Sequence, residues 1–196
     1  MKRNQEMQIP FLVPDITEAE IDEVVDTLKS GWLTTGPKTK KLERQLADFC
    51  NTNRLICLNS STACTEMALR ILGIGPGDEV ITTAYTYTAS ASVICHVGAT
   101  PVLVDTAKDS FEMDYDQMEK AITEKTKAII PVDLGGVMCD YNRIFSIVTE
   151  KKHLYSSANK FQSAIGRIAV VADAAHALGA TRKGKKCGAV ADFTRF

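Results

Sequence analysis

The clearest structural signal in the sequence is the segment Ile168-Ala-Val-Val-Ala-Asp173-Ala-Ala-His176-Ala. Five apolar residues followed by an acid predict a buried parallel strand, with Asp173 at its carboxyl end and His176 one short turn later. Ligands bind at that edge of open α/β sheets. A carboxylate there can hold a metal, orient a histidine or pair with a protonated ring nitrogen, or it can simply cap the next turn. The rest of the chain has to decide between these roles.

Strands and helices alternate on the amino-terminal side of this segment. We predict strands at 55–58, 80–83, 101–105 and 128–132, helices at 65–72, 85–94, 115–122 and 141–150, and the start of a last strand within 189–196. This alternation is typical of an α/β fold with a mainly parallel sheet and helices on both faces. The polar segment 153–166 is predicted to be a surface excursion. The basic segment 179–188 is predicted to be a solvated hairpin rather than a phosphate or nucleic-acid patch.

An arm and two helices precede the alternating part. The arm, residues 9–14, is bounded by prolines. Asp15 or Thr17 can cap a first helix that ends at Gly31, and a loop with the single tryptophan, Trp32, leads to a second helix that starts near Pro37. The apolar residues expected on the inner faces of these helices are Ile21, Val24, Val25, Leu28, Leu42, Leu46 and Phe49.

The composition is that of a globular protein. Of the 196 residues, 45% are hydrophobic and 24% charged, and the net charge of −1 gives no electrostatic case for nucleic acid or a lipid surface. The six cysteines form no CxxC pair and have no histidine cluster beside them, so we predict reduced thiols and no metal site. The chain starts without the apolar region of a signal peptide and has no run long enough to span a membrane, which favours the cytoplasm.

A polar turn precedes the predicted helix at 65–72. Hydroxyls and free backbone N–H groups of Ser60, Ser61 and Thr62 stand at the positive end of that helix, which is a position suited to phosphate. Serine and threonine are also ordinary helix caps, so this pattern alone is weak. It matches neither a Walker P-loop nor GxGxxG, which argues against nucleotide hydrolysis and dinucleotide binding.

Tyr87 follows the next strand, where its ring can stack on a flat cofactor or pack on the sheet. A phosphate turn, an aromatic ring and a strand-end aspartate together describe a ligand with a phosphate at one end and a basic ring nitrogen at the other. Pyridoxal 5′-phosphate (PLP) has this shape, and an aspartate beside its pyridine nitrogen keeps that nitrogen protonated.

Five motifs extend the argument over nearly the whole chain. They are Ser30-Gly-Trp-Leu-Thr-Thr-Gly-Pro37, Asn59-Ser-Ser-Thr-Ala63, Gly73-Ile-Gly-Pro-Gly-Asp-Glu-Val80, Gly98-Ala-Thr-Pro-Val102 and Asp173-Ala-Ala-His-Ala-Leu-Gly-Ala180. In this order and spacing they resemble the DegT/DnrJ/EryC1/StrS family of fold-type I, PLP-dependent sugar aminotransferases. The resemblance implies PLP or its amino form, PMP, as cofactor, glutamate as amino donor and a nucleotide-linked keto-sugar as acceptor. It also implies a homodimer with sites built from both subunits.

The resemblance also implies roles for single residues. Ser61 and Thr62 would hold the phosphate, Tyr87 would stack on the ring, Asp173 would pair with the ring nitrogen and His176 would lie near the ring substituents. Thr35 would lie near substrate. Where many family members have a histidine, this chain has Asp133, which is a modest departure.

The family's Schiff-base lysine belongs to a Ser-Phe-His-x-x-Lys pattern that would follow directly after Phe196. No catalytic residue is therefore assigned within the chain, and the lysines of segment 179–188 are too close to Asp173 along the sequence to substitute. We expect an N-terminal arm with helices in 1–52, an incomplete PLP-binding large domain in 53–196 and no C-terminal small domain. This implies an aminotransferase portion that is inactive alone, the alternative being a non-catalytic module that binds PLP, PMP or a partner.

Overall fold

The computed structural model describes residues 13–196. The chain divides into two units, residues 1–42 and 43–196. Of the arm predicted at 9–14, only residues 13 and 14 are among those that the structure describes.

The first unit contains helix α1 (Glu18–Ser30). Thr17 is its N-cap, and a capping box forms because the Thr17 N–H donates to Glu20 Oε2 at 2.7 Å while Thr17 Oγ1 accepts from the Ala19 N–H at 3.3 Å. Gly31, with φ of 72°, ends the helix in the left-handed conformation. The cap and the stop predicted here are confirmed, although no residue of α1 is buried.

Helix α2 (Pro37–Cys50) begins in the first unit, and the second unit continues with α3 (Ser61–Ile71). Helix α2 buries a different face from the one expected. Leu42 and Phe49 are each 47% exposed, and Leu46 is only half-buried. The residues buried instead are Glu43, Ala47 and Cys50. On α3 the buried residues are Thr65, Ala68 and Leu69, whereas Met67 is exposed. Successive residues of a helix are about 100° apart around its axis. When only a narrow side of the helix is covered, apolar spacing alone does not identify which residues are buried.

A five-stranded parallel sheet forms the centre of the second unit. Its strands are β1 (Glu79–Thr83), β2 (Thr100–Val104), β3 (Thr126–Ile130), β4 (Ala169–Asp173) and, after the hairpin of β5 (Thr181–Arg182) and β6 (Lys185–Lys186), β7 (Phe193–Arg195). The spatial order is β2-β1-β3-β4-β7. All four strand pairs are parallel, so every strand presents its carboxyl end at the same edge.

Helices cover both faces of the sheet, as predicted. They are α4 (Ala89–His96), α5 (Tyr115–Ala121), α6 (Tyr141–Glu150) and α7 (Lys160–Ile165). One core cluster joins Ile129 and Val170 to residues of α5 and α6, while the other joins Ala128 and Val171 to residues of α3 and α4. Neighbouring strand residues thus enter opposite cores, which is why each strand is apolar throughout.

The strand predicted at 55–58 does not form. Ile56 is 69% exposed and Leu58 44% exposed, and the Cys57 N–H donates to Glu43 Oε1 at 3.1 Å rather than to a neighbouring strand. A short apolar run does not by itself distinguish a strand from an irregular connection.

The segment 153–166 is more than the surface excursion that was predicted. It contains α7, capped by Asn159, and it buries Gln162. The side chains of Asn159 and Gln162 donate to the Leu72 carbonyl at 2.8 and 2.9 Å, which anchors the carboxyl end of α3. The predicted hairpin at 179–188 is confirmed, with Lys183 and Gly184 both at positive φ in its two-residue turn.

No helix within residues 13–196 is long and apolar enough to cross a membrane.

Candidate functional site

Asp173 lies at the carboxyl end of β4 and is only 4% exposed. Its backbone is fixed on both sides, because its N–H donates to Pro131 O and its carbonyl accepts from the Asp133 N–H, each at 2.9 Å. Ser90 Oγ, near the start of α4, donates to Asp173 Oδ2 at 2.5 Å. The strand therefore presents a buried, oriented carboxylate at the edge where ligands bind in this class of sheet.

Arg195 is the second buried ionic group at this edge. It lies on β7 directly beside Asp173 in the parallel register, and its guanidinium donates to Asp173 Oδ2. The same nitrogen, Nη2, also donates to Ser90 Oγ at 3.3 Å, and Nη1 donates to Ser61 Oγ at 2.7 Å. Burial lowers the pKa of Arg195 and the Asp173 carboxylate opposes that effect, so the guanidinium remains charged.

The amino end of α3 is the third component of the site. Ser60 caps the helix by accepting the Ala63 N–H at 3.1 Å, and Ser61 and Thr62 are its first two residues. The first N–H groups of a helix have no partner within the helix, and the helix dipole adds positive potential there. This end, together with the half-buried hydroxyls of Ser61 and Thr62, suits a phosphate group.

The donor set fits PLP or PMP. Asp173 Oδ2 is bonded to Ser90 and Arg195, whereas Oδ1 accepts, among the residues that the structure describes, only the Ala175 N–H at a long 3.4 Å. An ionised carboxylate oxygen can accept two bonds, so Oδ1 retains capacity for a protonated ring nitrogen. Arg195 donates to both this carboxylate and Ser61. The carboxylate and the amino end of α3, which suits a phosphate, therefore belong to one site.

The other predicted site residues lie at the surface. His176 is exposed, and its Nδ1 accepts the Gly135 N–H at 3.3 Å, which leaves the proton of the neutral ring on Nε2. Tyr87 lies between β1 and α4 and is 80% exposed, while nearby Tyr85 stacks on Phe111 with ring centroids 5.3 Å apart. Thr35 belongs to the first unit, where its carbonyl accepts from Trp32 Nε1 at 3.2 Å.

Asp133 supports the site from within the core. It is fully buried, and its carboxylate accepts the Cys139 N–H at 2.7 Å, the Tyr141 hydroxyl at 2.9 Å and the Cys187 thiol at 3.4 Å. Burial raises the pKa of Asp133, and the hydrogen bonds counteract this. Asp133 thus fixes the loop that holds the Asp173 backbone.

Sequence reasoning missed Ser90 and Arg195. Ser90 lies in a run of small residues that predicts only close helix packing. Arg195 carries a usable signal, since it is a charged residue in a short strand that is otherwise buried or half-buried. Its pairing with Asp173 depends on the β4–β7 register, which is not readable from the sequence.

Known proteins resemble this chain over almost its full length. A structure of Spr1654 from Streptococcus pneumoniae, described as a sugar aminotransferase in its PLP form, superimposes with a TM-score of 0.94 at 61% identity over 96% of this chain and 48% of that chain. The PMP form of the same protein gives a TM-score of 0.94. The predicted cofactor is thereby confirmed for this group of proteins.

Curated relatives agree. The spore coat polysaccharide biosynthesis protein SpsC of Bacillus subtilis is 39% identical over 96% of this chain and 44% of its own length. The UDP-4-amino-4-deoxy-L-arabinose–oxoglutarate aminotransferase of Shewanella sediminis is 39% identical over 92% of this chain and 42% of its own length.

The chain thus spans a little under half the length of the relatives that it matches. The model of the DegT/DnrJ/EryC1/StrS aminotransferase family matches residues 14–196. Both the sequence motifs and the fold are therefore accounted for by one assignment: the chain belongs to the DegT/DnrJ/EryC1/StrS aminotransferase family.

Proposed function

We propose that this chain supplies the cofactor-binding half of a PLP-dependent aminotransferase that acts on a nucleotide-linked keto-sugar, with glutamate as amino donor. The observation that carries the proposal is the meeting of a buried strand-end carboxylate, Asp173, with the amino end of α3 through the shared contacts of Arg195. The Shewanella relative is named for a UDP-linked amino sugar and oxoglutarate, and SpsC for polysaccharide biosynthesis, which supports the substrate class.

Each residue of the site has a separate task in this proposal. The N–H groups at the start of α3 and the hydroxyls of Ser61 and Thr62 hold the phosphate. Asp173 accepts a hydrogen bond from the protonated ring nitrogen, and Ser90 keeps the carboxylate in place. Tyr87 supplies a ring for stacking, His176 contacts the ring substituents and Thr35 contacts the substrate. When bound, the protonated pyridine ring supplies an electron sink for the bond-breaking step at the substrate carbon.

Proton transfer at that carbon requires a lysine from outside residues 1–196, because the Ser-Phe-His-x-x-Lys pattern does not occur in them. Two of the three lysines of the β5–β6 hairpin have other contacts: Lys183 Nζ binds Asp140 at 3.3 Å and Lys186 Nζ donates to the Phe49 carbonyl at 2.6 Å. We therefore propose that residues 53–196 form an incomplete large domain that binds the cofactor without transaminating. A homodimer located in the cytoplasm is part of the same proposal.

A titration with PMP tests the binding part of the proposal. The wild-type chain should bind PMP with saturation, and Asp173→Asn should weaken binding at least about tenfold because the ring nitrogen loses its charged partner. Asp105→Asn is the matched control, since Asp105 follows β2 at the same edge but is exposed. Equal PMP affinity in Asp173→Asn and wild type would contradict the assigned role of Asp173.

A fusion tests the catalytic part. The chain joined to the remaining C-terminal portion of Spr1654 should convert glutamate to 2-oxoglutarate in the presence of PLP, whereas the unfused chain should not. Replacement of the lysine in the added portion by alanine is the control and should abolish the conversion. A fusion that binds PLP but leaves glutamate unchanged would favour the non-catalytic binding module.

A further inference from the structure

Arg195 has an unusual position for a cation. It is 6% exposed and contacts both ends of the candidate cofactor site, the carboxylate of Asp173 and the hydroxyl of Ser61 at the start of α3. A cofactor with a protonated ring nitrogen and a phosphate addresses these same two ends. By donating to Asp173, the guanidinium already makes one of the two contacts that the cofactor would make.

The contact of Arg195 with Asp173 is the one that conflicts with binding of the cofactor ring nitrogen. A protonated ring nitrogen at Oδ1 shares a single carboxylate with the guanidinium at Oδ2. Two cations then meet around one negative charge in a site from which water is largely excluded, where their repulsion is weakly screened. Ser90 cannot relieve the conflict, because its hydroxyl already donates to the same Oδ2.

The hydrogen bonding of Arg195 is also incomplete. Its Nε is buried and has no hydrogen-bond partner within residues 13–196. An unsatisfied buried donor makes this arrangement less favourable than a fully bonded one. The guanidinium is held by the hydroxyls of Ser61 and Ser90 and by the charge of Asp173, which is the group that a cofactor ring would share.

We propose that Arg195 is an internal competitor for the ring nitrogen, which lowers the selectivity of this site for PMP over phosphates that lack a basic ring. This inference rests on the proposed function. The contact of Arg195 with Ser61 has a different effect on phosphate binding. It places a cation near the start of α3, which favours the binding of any phosphate. Arg195 therefore shifts the site from recognition of a pyridine ring toward recognition of a phosphate.

The test measures two dissociation constants on the full chain, one for PMP and one for benzyl phosphate, which has an aromatic ring and a phosphate but no ring nitrogen. Arg195→Met removes the charge and keeps the side-chain length. We expect the ratio of the benzyl phosphate constant to the PMP constant to rise about tenfold in Arg195→Met. A purely structural role of Arg195 would change both constants together and leave the ratio unchanged.

Arg167→Met is the matched control, because Arg167 forms the other arginine–aspartate pair between the same two strands, away from the site. The ratio in this variant should equal that of wild type. In the double variant Asp173→Asn/Arg195→Met the gain should disappear, because the ring nitrogen no longer meets a carboxylate. Circular dichroism establishes that each variant is folded, and Arg195→Gln replaces Arg195→Met if the latter is not.

The outcomes separate the inference from the function on which it rests. PMP binding with a ratio that is unchanged or lower in the Arg195 variants overturns the inference and leaves the proposed function intact. Failure of wild type and of the Arg195 variants to bind PMP better than benzyl phosphate overturns both.

Discussion

Arg167 and Asp192 form a two-bond ion pair at the amino ends of β4 and β7, with nitrogen–oxygen distances of 2.7 and 2.9 Å. The Arg195–Asp173 pair closes the other end of the same two strands with the donors reversed, since here the arginine comes from β7. Only three residue pairs lie in register between the strands. The two ion pairs therefore reinforce this register at both ends of the short ladder.

The first prediction concerns Asp192. Its carboxylate also accepts the Val170 N–H at 2.8 Å, so Asp192→Ala leaves a guanidinium and a backbone donor without their partner. We expect the free energy of unfolding to fall by about 3 kcal/mol in urea titrations. The exposed pair of Arg143 and Asp116 provides a control: Asp116→Asn should cost about 0.5 kcal/mol or less. Comparable losses in the two variants would argue against the role given to Asp192.

The second prediction concerns alkaline pH. Burial raises the pKa of Cys187 to about 12, well above the value of about 8.5 expected in the unfolded chain. Between these values the folded state keeps a proton that the unfolded state releases, so stability falls as the pH rises, by up to about 1.4 kcal/mol per pH unit from this thiol.

Cys187→Ala should remove this part of the slope. Urea unfolding at pH 8, 9 and 10 measures it, and the loss of stability over this range should be smaller in the variant than in wild type. Cys95→Ala is the control because Cys95 is exposed. A slope that is unchanged in Cys187→Ala would show that this thiol does not titrate differently in the two states.

The third prediction concerns Asp133. Asp133→Ala leaves the Cys139 N–H and the Tyr141 hydroxyl buried without an acceptor, and we expect a loss of about 3 kcal/mol in the free energy of unfolding. Asp133→Asn keeps an acceptor oxygen and removes a charge whose burial is unfavourable, as the raised pKa shows. This variant should lose about 1 kcal/mol or less. An asparagine variant as unstable as the alanine variant would mean that the negative charge itself is required.

The fold class was predictable because the strand residues enter two cores. Ala128 and Ile129 lie next to each other in β3 and are both fully buried, so the strand is continuously apolar and easy to recognise. The run at 55–58 has the same local pattern but no place in the sheet, and only long-range contacts distinguish the two cases.

The candidate site was predictable in part for the same reason. Asp173 and Ser61 each follow from a local signal, a strand end and a helix start. Arg195 and Ser90 join these residues through contacts that span 83 to 134 positions of the sequence, or through a strand register. Local patterns carry no information about such contacts, so the ionic centre of the site emerged only with the fold.

The fourth prediction uses the single tryptophan. The Trp32 indole lies against Gly36, where an added Cβ would come within 2.1 Å of Nε1. Gly36→Ala should therefore displace the ring and break its hydrogen bond to the Thr35 carbonyl. We expect the fluorescence of Trp32 to become more accessible to acrylamide. Gly75→Ala is the control, because its added Cβ would meet nothing closer than 3.5 Å. Equal quenching in both variants would contradict this placement of the indole.

Helix α3 connects two distant parts of the second unit mechanically. Its eleven residues span about 16 Å. The end that suits a phosphate begins at Ser61, and at the opposite end Asn159 and Gln162 bind the Leu72 carbonyl. A screen for loss of PMP binding should therefore recover substitutions at Gln162, whose side chain binds the end of α3 opposite to Ser61. The segment 153–166, predicted to be a surface excursion, thus holds the far end of the helix whose first residues form part of the candidate site.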